Sequence, residues 1–229
     1  MNRPVTIVFD LDGTLAHTSP DIAAALNAVL APHGRQVSLA ETERMVGGGL
    51  RMLVRRALTL TGLDLSEEET FARVLAAYRE APAPNTTLHG WVSETMIGFH
   101  RGGARIAVCS NKAEDLTVVI LEALGVSRWI HATVGHVPGR GRKPDPAPLL
   151  LAIRNAGGDR ARAIMVGDSA ADVGAARAGG IPVVLVPHGY GSRDIRTLDA
   201  DRIVADADEL RAAIVALTGL QRRPDQRFG

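Results

Sequence analysis

The chain has 229 residues, of which 46% are hydrophobic, and carries a formal net charge of +1 at pH 7. That length holds one large core or one core with a sizeable insertion, and the near-neutral charge excludes the electrostatic footprint of a nucleic-acid or acidic-membrane binder. No apolar run approaches the roughly 20 residues of a membrane span, no basic and apolar leader precedes the first strand, and the single cysteine, Cys109, permits no internal disulfide, so the cytoplasm is the expected compartment.

The apolar, β-branched run at 4–9 predicts a buried first strand. In "SPDIAAALNAVLAPHG" Ser19 reads as an N-cap, Pro20 as the first helical residue and Gly34 as the stop. Helical spacing then continues to about residue 82 through "SLAETERMV", "GGLRMLVRRALTLTG" and "SEEETFARVLAAYRE". The prolines of "APAPNTTLHG" (81–90) mark a linker. Beyond it strands and helices alternate. The strands are expected at 104–110, 131–135, 161–168, 181–187 and, more weakly, 202–206; the helices at 91–102, 114–124, 146–156, 170–179 and 207–217. Such alternation implies right-handed crossovers and a parallel sheet covered on both faces. The fold class expected is α/β, a doubly wound parallel sheet formed by residues 1–15 and 87–229, with an all-helical domain inserted at 16–86. The polar tail "QRRPDQRFG" is expected to fray.

Four short stretches end or follow predicted strands or open a helix: "DLDGT" (10–14), "SNK" (110–112), "RKPDP" (142–146) and "GDSAAD" (167–172). Each alone is an ordinary turn or helix cap. In an open parallel sheet, however, the ligand site lies outside the carboxyl ends of the strands, and all four fall on that edge. Asp10 and Asp12 flank Leu11, so an extended backbone turns both carboxylates to one side. Together with Asp168 they are tolerable only around a divalent cation, and a hard, oxygen-rich site suits Mg²⁺. One carboxylate can then attack phosphorus while the other moves protons, Ser110 can donate to phosphate oxygens, and Lys143 adds the further cation a dianionic phosphate requires. Lys112 and Lys143 are the only lysines; every other cation is arginine. Lys112 reads as the start of a helix beside the site, whereas Lys143 reads as a compact charge that an arginine fork could not imitate. "GGGL" (47–50) follows no strand and is not a dinucleotide fingerprint.

On these residues the chain resembles the haloacid dehalogenase superfamily, whose four motifs correspond to Asp10–Thr14, Ser110–Asn111, Lys143–Pro144 and Gly167–Asp172. The insertion is placed like that family's helical cap. The resemblance implies Asp10 as nucleophile, forming an aspartyl-phosphate, and Asp12 as general acid and then general base. It implies Mg²⁺ held by Asp10, the backbone carbonyl of Asp12 and Asp168, with Asp172 supporting its water shell. Thr14 would orient Asp12, Ser110 and Lys143 would grip the phosphoryl group, and Asn111 would join Thr14 and Ser110 around substrate. Dehalogenating members lack the second acid, so Asp12 favours phosphate chemistry. Softer echoes in the cap and in "HGYG" (188–191) point to phosphoglycolate phosphatases, although "LHGWV" (88–92) carries His89 where relatives place a proline. Arg51, four residues before Arg55 on one helix face, could receive a substrate carboxylate, or both could simply face solvent. The expected partner is a small phosphorylated metabolite, with neither nucleic acid nor membrane, and the chain is expected as a monomer or homodimer. A sugar phosphomutase of the same superfamily remains open; a receiver-type signalling domain is disfavoured by the long helical insertion, and a silent binding protein by the complete motifs.

Overall fold

The computed structural model describes residues 4–191 and 193–219; the expected frayed tail lies outside them. Strand β1 (Thr6–Phe9) is followed by a two-residue strand, β2 (Ala16–His17), and then four helices: α1 (Ser19–Leu30), α2 (Leu39–Met45), α3 (Leu50–Thr61) and α4 (Glu67–Glu80). Strand β3 (Thr87–Leu88) pairs antiparallel with β2, so the way into the helical layer and the way out run side by side. Helix α5 (Gly90–Arg101) then leads into the alternating part: β4 (Arg105–Ala113), α6 (Glu114–Ala123), β5 (Ala132–His136), α7 (Ala147–Asn155), β6 (Ala163–Gly167), α8 (Ala170–Gly179), β7 (Val183–Leu185), β8 (Arg202–Ile203) and α9 (Ala207–Thr218).

Six strands form one sheet in the order β5-β4-β1-β6-β7-β8, every pair parallel. Strand β1 lies at its centre and is buried on both faces, as its unbroken apolar run demands. Successive side chains divide between the faces. Ile7 and Phe9 join α5, α6 and α9 in one apolar cluster, and Val8 joins α7 and α8 in the other. Complete burial of each of these side chains contributes roughly 1.5–3 kcal/mol relative to exposure. The sheet is thus a doubly wound α/β layer, and α1–α4 form a helical cap over its carboxyl edge.

Local chemistry accounts for the cap's boundaries. Pro20 stands in the first turn of α1, but Thr18 takes the N-cap position expected of Ser19, whose hydroxyl is held by Glu43 instead. Ser38 and Glu41 form a reciprocal capping box on α2, and Ser66 caps α4 above three glutamates in its first turn. Asp21, almost completely buried in α1, accepts from the backbone and side-chain amides of Asn85 and from the Thr86 hydroxyl. It therefore ties the cap's exit to its entrance. No helix among the described residues is long and apolar enough to cross a membrane.

Candidate active site

The carboxyl ends of β1, β4 and β6 bring Asp10, Ser110 and Asp168 to one edge. Asp10 follows β1 directly, and its amide bonds the Val166 carbonyl of β6 at 2.9 Å, which fixes its backbone to the sheet. Its Oδ1 accepts from the Leu11 amide at 2.7 Å and lies 3.0 Å from Lys143 Nζ, while Oδ2 has no partner among the described residues. Lys143, 3% exposed, also donates to Asp172 Oδ1 at 2.6 Å. Asp172 in turn caps α8, accepting from the amide and hydroxyl of Ser169. Burial works against the Lys143 ammonium, but Asp10 and Asp172 more than offset it and hold its pKa above the ordinary lysine value.

Carboxylate atoms of Asp10, Asp168 and Asp172, all buried, lie within 4.8 Å of one another. Burial raises Asp10 to about 7; Lys143 pulls it down, and Asp172 and Asp12 push it up. Burial, Asp172 and Asp10 likewise raise Asp168 well above the carboxylate range, although the Tyr190 amide and the Thr14 hydroxyl donate to it at 2.7 and 2.8 Å. One lysine does not neutralise this group. A buried, oxygen-only donor set with surplus negative charge fits a hard divalent cation such as Mg²⁺. The expected metal residues Asp10, Asp168 and Asp172 thus converge, whereas the Asp12 carboxylate is outside that group, engaged by Thr18 and Lys112, and only its backbone carbonyl remains for that role.

Asp12 Oδ1 accepts from Thr18 Oγ1 at 2.6 Å and lies 2.9 Å from Lys112 Nζ; its Oδ2 has no partner among the described residues. Two sequence expectations are corrected here. Thr14 does not orient Asp12 and, being fully buried on Asp168, is not placed for substrate; Thr18 holds Asp12 instead. Lys112 does not open a helix. Strand β4 runs on to Ala113 after a register break that follows Cys109, and this carries Lys112 into the buried site, where it donates to Tyr78 Oη of α4 at 2.8 Å. Burial pushes the Tyr78 phenol up to about 12, against the pull of Lys112.

A cleft of about 1010 Å³ lies between the sheet edge and the cap, lined by Asp10, Asp12, Ser110 and Lys112 below and by Leu53, Phe71 and Tyr78 above. Ser110 faces it, as expected. Asn111 lines it too, but its amide donates to the Lys143 carbonyl at 2.9 Å and the cap's Gly47 carbonyl at 3.2 Å, bridging the two layers. Arg51 stands at the wall, its two terminal guanidinium nitrogens donating to the Glu68 carboxylate and its guanidinium stacked over Phe71; Arg55 is held by Glu67. Both arginines are therefore tied within the cap. The "HGYG" stretch contributes Tyr190, whose amide fixes Asp168 and whose hydroxyl lies 2.9 Å from His17 Nδ1. His89 stacks against His188 at 3.9 Å, and burial beside His188 and His17 lowers its pKa to about 4. His136 lines the cleft with Arg142 beside it.

Converging acids, a buried lysine and a hydroxyl on the carboxyl edge of a doubly wound sheet, roofed by helices, define a phosphoryl-handling hydrolase. The family described as haloacid dehalogenase-like hydrolase matches residues 7–186. The chain belongs to that family and, within it, is a phosphatase. It is 39% identical to a phosphoglycolate phosphatase of Mesorhizobium japonicum, over 92% of this chain and 94% of that one. It is 35% identical to a phosphoglycolate phosphatase of Caulobacter vibrioides, over 93% and 92%. A crystal structure described as a predicted phosphoglycolate phosphatase from Haemophilus somnus superposes with a TM-score of 0.83 at 29% identity, covering 93% of this chain and 99% of that one.

Proposed function

We propose that the chain hydrolyses small phosphate monoesters, 2-phosphoglycolate foremost, to the free alcohol and inorganic phosphate through an aspartyl-phosphate on Asp10. The observation that carries this reading is the pair Asp10 and Asp12. Each is anchored through Oδ1, and each keeps Oδ2 without a partner among the described residues, at the floor of the same cleft. The names of the relatives favour the substrate.

Asp10 Oδ2 attacks phosphorus as the ester P–O bond breaks, and Asp12 delivers its proton to the departing oxygen. Asp12 then takes a proton from the water that attacks the aspartyl-phosphate, which restores Asp10 and releases phosphate. Lys143 keeps Asp10 fixed and ionised near its approach to phosphorus, and Ser110 binds the phosphoryl oxygens. Asp10, Asp168 and the Asp12 carbonyl, with Asp172 in support, would hold Mg²⁺, which would supply the positive charge a dianionic phosphate needs among carboxylates. The cap excludes water from the first step. A cytoplasmic setting suits the buried free thiol of Cys109.

Acid quenching during turnover of labelled 2-phosphoglycolate is expected to trap label on the protein at Asp10, and Asp10→Asn to abolish both label and phosphate release. Substantial turnover by Asp10→Asn would refute the covalent route.

A further inference from the structure

Lys112 is a buried cation that takes no direct part in the proton and phosphoryl transfers above, and nothing in them requires it to touch the cap. Its ammonium has three donors. One goes to Asp12 Oδ1 at 2.9 Å and one to Tyr78 Oη at 2.8 Å, with the nitrogen 4.6 Å from the centre of the Tyr78 ring. The third has no partner among the described residues, and Lys112 lines the cleft. Tyr78 accepts from Lys112, so its own hydroxyl proton is free to donate, again with no acceptor among the described residues. A buried ammonium and a buried phenol thus present two unused donors at one place, one from the sheet edge and one from the cap.

We propose that Lys112 and Tyr78 form the subsite for the carboxylate of an acidic substrate, and so set the preference for phosphorylated small acids; this rests on the phosphatase reading above. The distances support it. The ester oxygen must come within hydrogen-bond reach of Asp12, about 2.6–3.2 Å, to receive its proton. In a two-carbon acid phosphate the carboxylate carbon is two bonds from that oxygen. Such a carboxylate falls beside a group that already touches Asp12, and Lys112 is that group. The other cations of the cleft are committed elsewhere: Arg51 to Glu68, Arg79 to Asp115, and Arg142 to the Gly48 carbonyl and His136. None of them touches Asp12. In a site closed to water, charge-assisted hydrogen bonds are strong, and a neutral group in the same place leaves a buried cation short of a partner. Because Tyr78 belongs to α4, the carboxylate would be gripped only with the cap closed on the sheet edge. Recognition of the acid and assembly of the site are then one event.

Binding tests this without demanding turnover, which matters because Lys112 also supports Asp12. Two non-hydrolysable phosphonates, 3-phosphonopropionate and propylphosphonate, differ in the carboxylate and are titrated calorimetrically into the Mg²⁺-loaded protein. The wild type is expected to prefer the carboxylate by roughly 30- to 100-fold, and Lys112→Met to lose nearly all of that preference. Tyr78→Phe, the milder change, is expected to lose about tenfold, and Arg51→Met and Arg142→Met to keep the full preference. Full preference in Lys112→Met, or its loss in Arg51→Met or Arg142→Met instead, would overturn the assignment. Phosphate release from simple esters is followed on the same wild-type sample. If esters are hydrolysed but both phosphonates bind alike, the subsite is wrong and the phosphatase reading stands; if no ester is hydrolysed, both fall.

Discussion

Removal of the Lys143 ammonium gives a stability signature that depends on pH in a defined way. Nζ lies 3.0 Å from Asp10 and 2.6 Å from Asp172 in a residue only 3% exposed. Breaking a buried ion pair from one side costs roughly 3–5 kcal/mol, because the surviving charge is stranded. Here a proton can relieve the stranding. Asp10 is raised to about 7 with Lys143 still lowering it, so in Lys143→Ala its value climbs further. An acid whose folded pKa is raised penalises folding progressively as pH rises from its unfolded value toward the folded one. Wild type and variant therefore lose stability in parallel from about pH 4 to pH 7. Above pH 7 the wild-type penalty levels off while the variant's continues. The gap is expected to open there by about 1.4 kcal/mol per pH unit, toward the ~3–5 kcal/mol of a broken buried pair. Urea unfolding in a chelator at pH 6, 7.5 and 9, followed by circular dichroism, measures it. A gap of equal size at pH 6 and pH 9 would refute the charge assignment. Lys143→Arg keeps the charge but not its compactness; misplacing Asp10 by about 1 Å is expected to cost ~10²-fold in kcat, and a near-wild-type rate would contradict that.

Asp12→Ala is expected to slow 2-phosphoglycolate by ~10²–10⁴-fold and p-nitrophenyl phosphate, whose leaving group needs no proton, far less; equal losses would count against acid–base duty. Chelation is expected to abolish phosphate release, Mg²⁺ to restore it, and Ca²⁺ to inhibit, because its larger and looser shell misplaces the reacting groups; full activity in metal-free protein would undo the reading of the acid cluster. A Cβ at Gly189 would overlap the side chain of Asp168. Gly189→Ala is therefore expected to lose ~1–3 kcal/mol of stability by overpacking and to weaken Mg²⁺ binding, and urea unfolding and metal titration that both match wild type would show that the turn simply moves.

What could be read in the chain was what is local. The strand ending at Phe9, the aspartates that follow it and the acid at the mouth of α8 announce themselves within a few residues, and the parallel-sheet rule brings them to one edge. Thr14 shows the limit. Its partner, Asp168, lies 154 residues away, and no spacing rule links a hydroxyl to an acid at that distance. Lys112 escapes a local reading because "SNKAED" reads well as a helix cap, whereas pairing with β5 resumes at Ala113 and keeps the backbone extended to that residue. The sequence does not decide between substrate and solvent for Arg51 and Arg55, because their partners, Glu68 and Glu67, arrive only when α4 folds back on α3. Tyr78 lies within "SEEETFARVLAAYRE", whose helical spacing carries no sign that its hydroxyl meets Lys112. Strands β2 and β3, two residues each, fall below the length at which any pattern can register.

The side-by-side passage of β2 and β3, reinforced by Asp21, has a consequence for how such a chain can change over generations. Ala16 faces Leu88 and His17 faces Thr87, so the two ends of the intervening segment are neighbours whatever lies between them. A segment whose ends already meet can be lengthened, shortened or exchanged for another without pulling β1 away from β4. The carboxylates on the sheet edge stay where the strands put them, while the roof above them is replaceable. In this architecture the reacting groups are inherited with the floor, and the ceiling is free to vary.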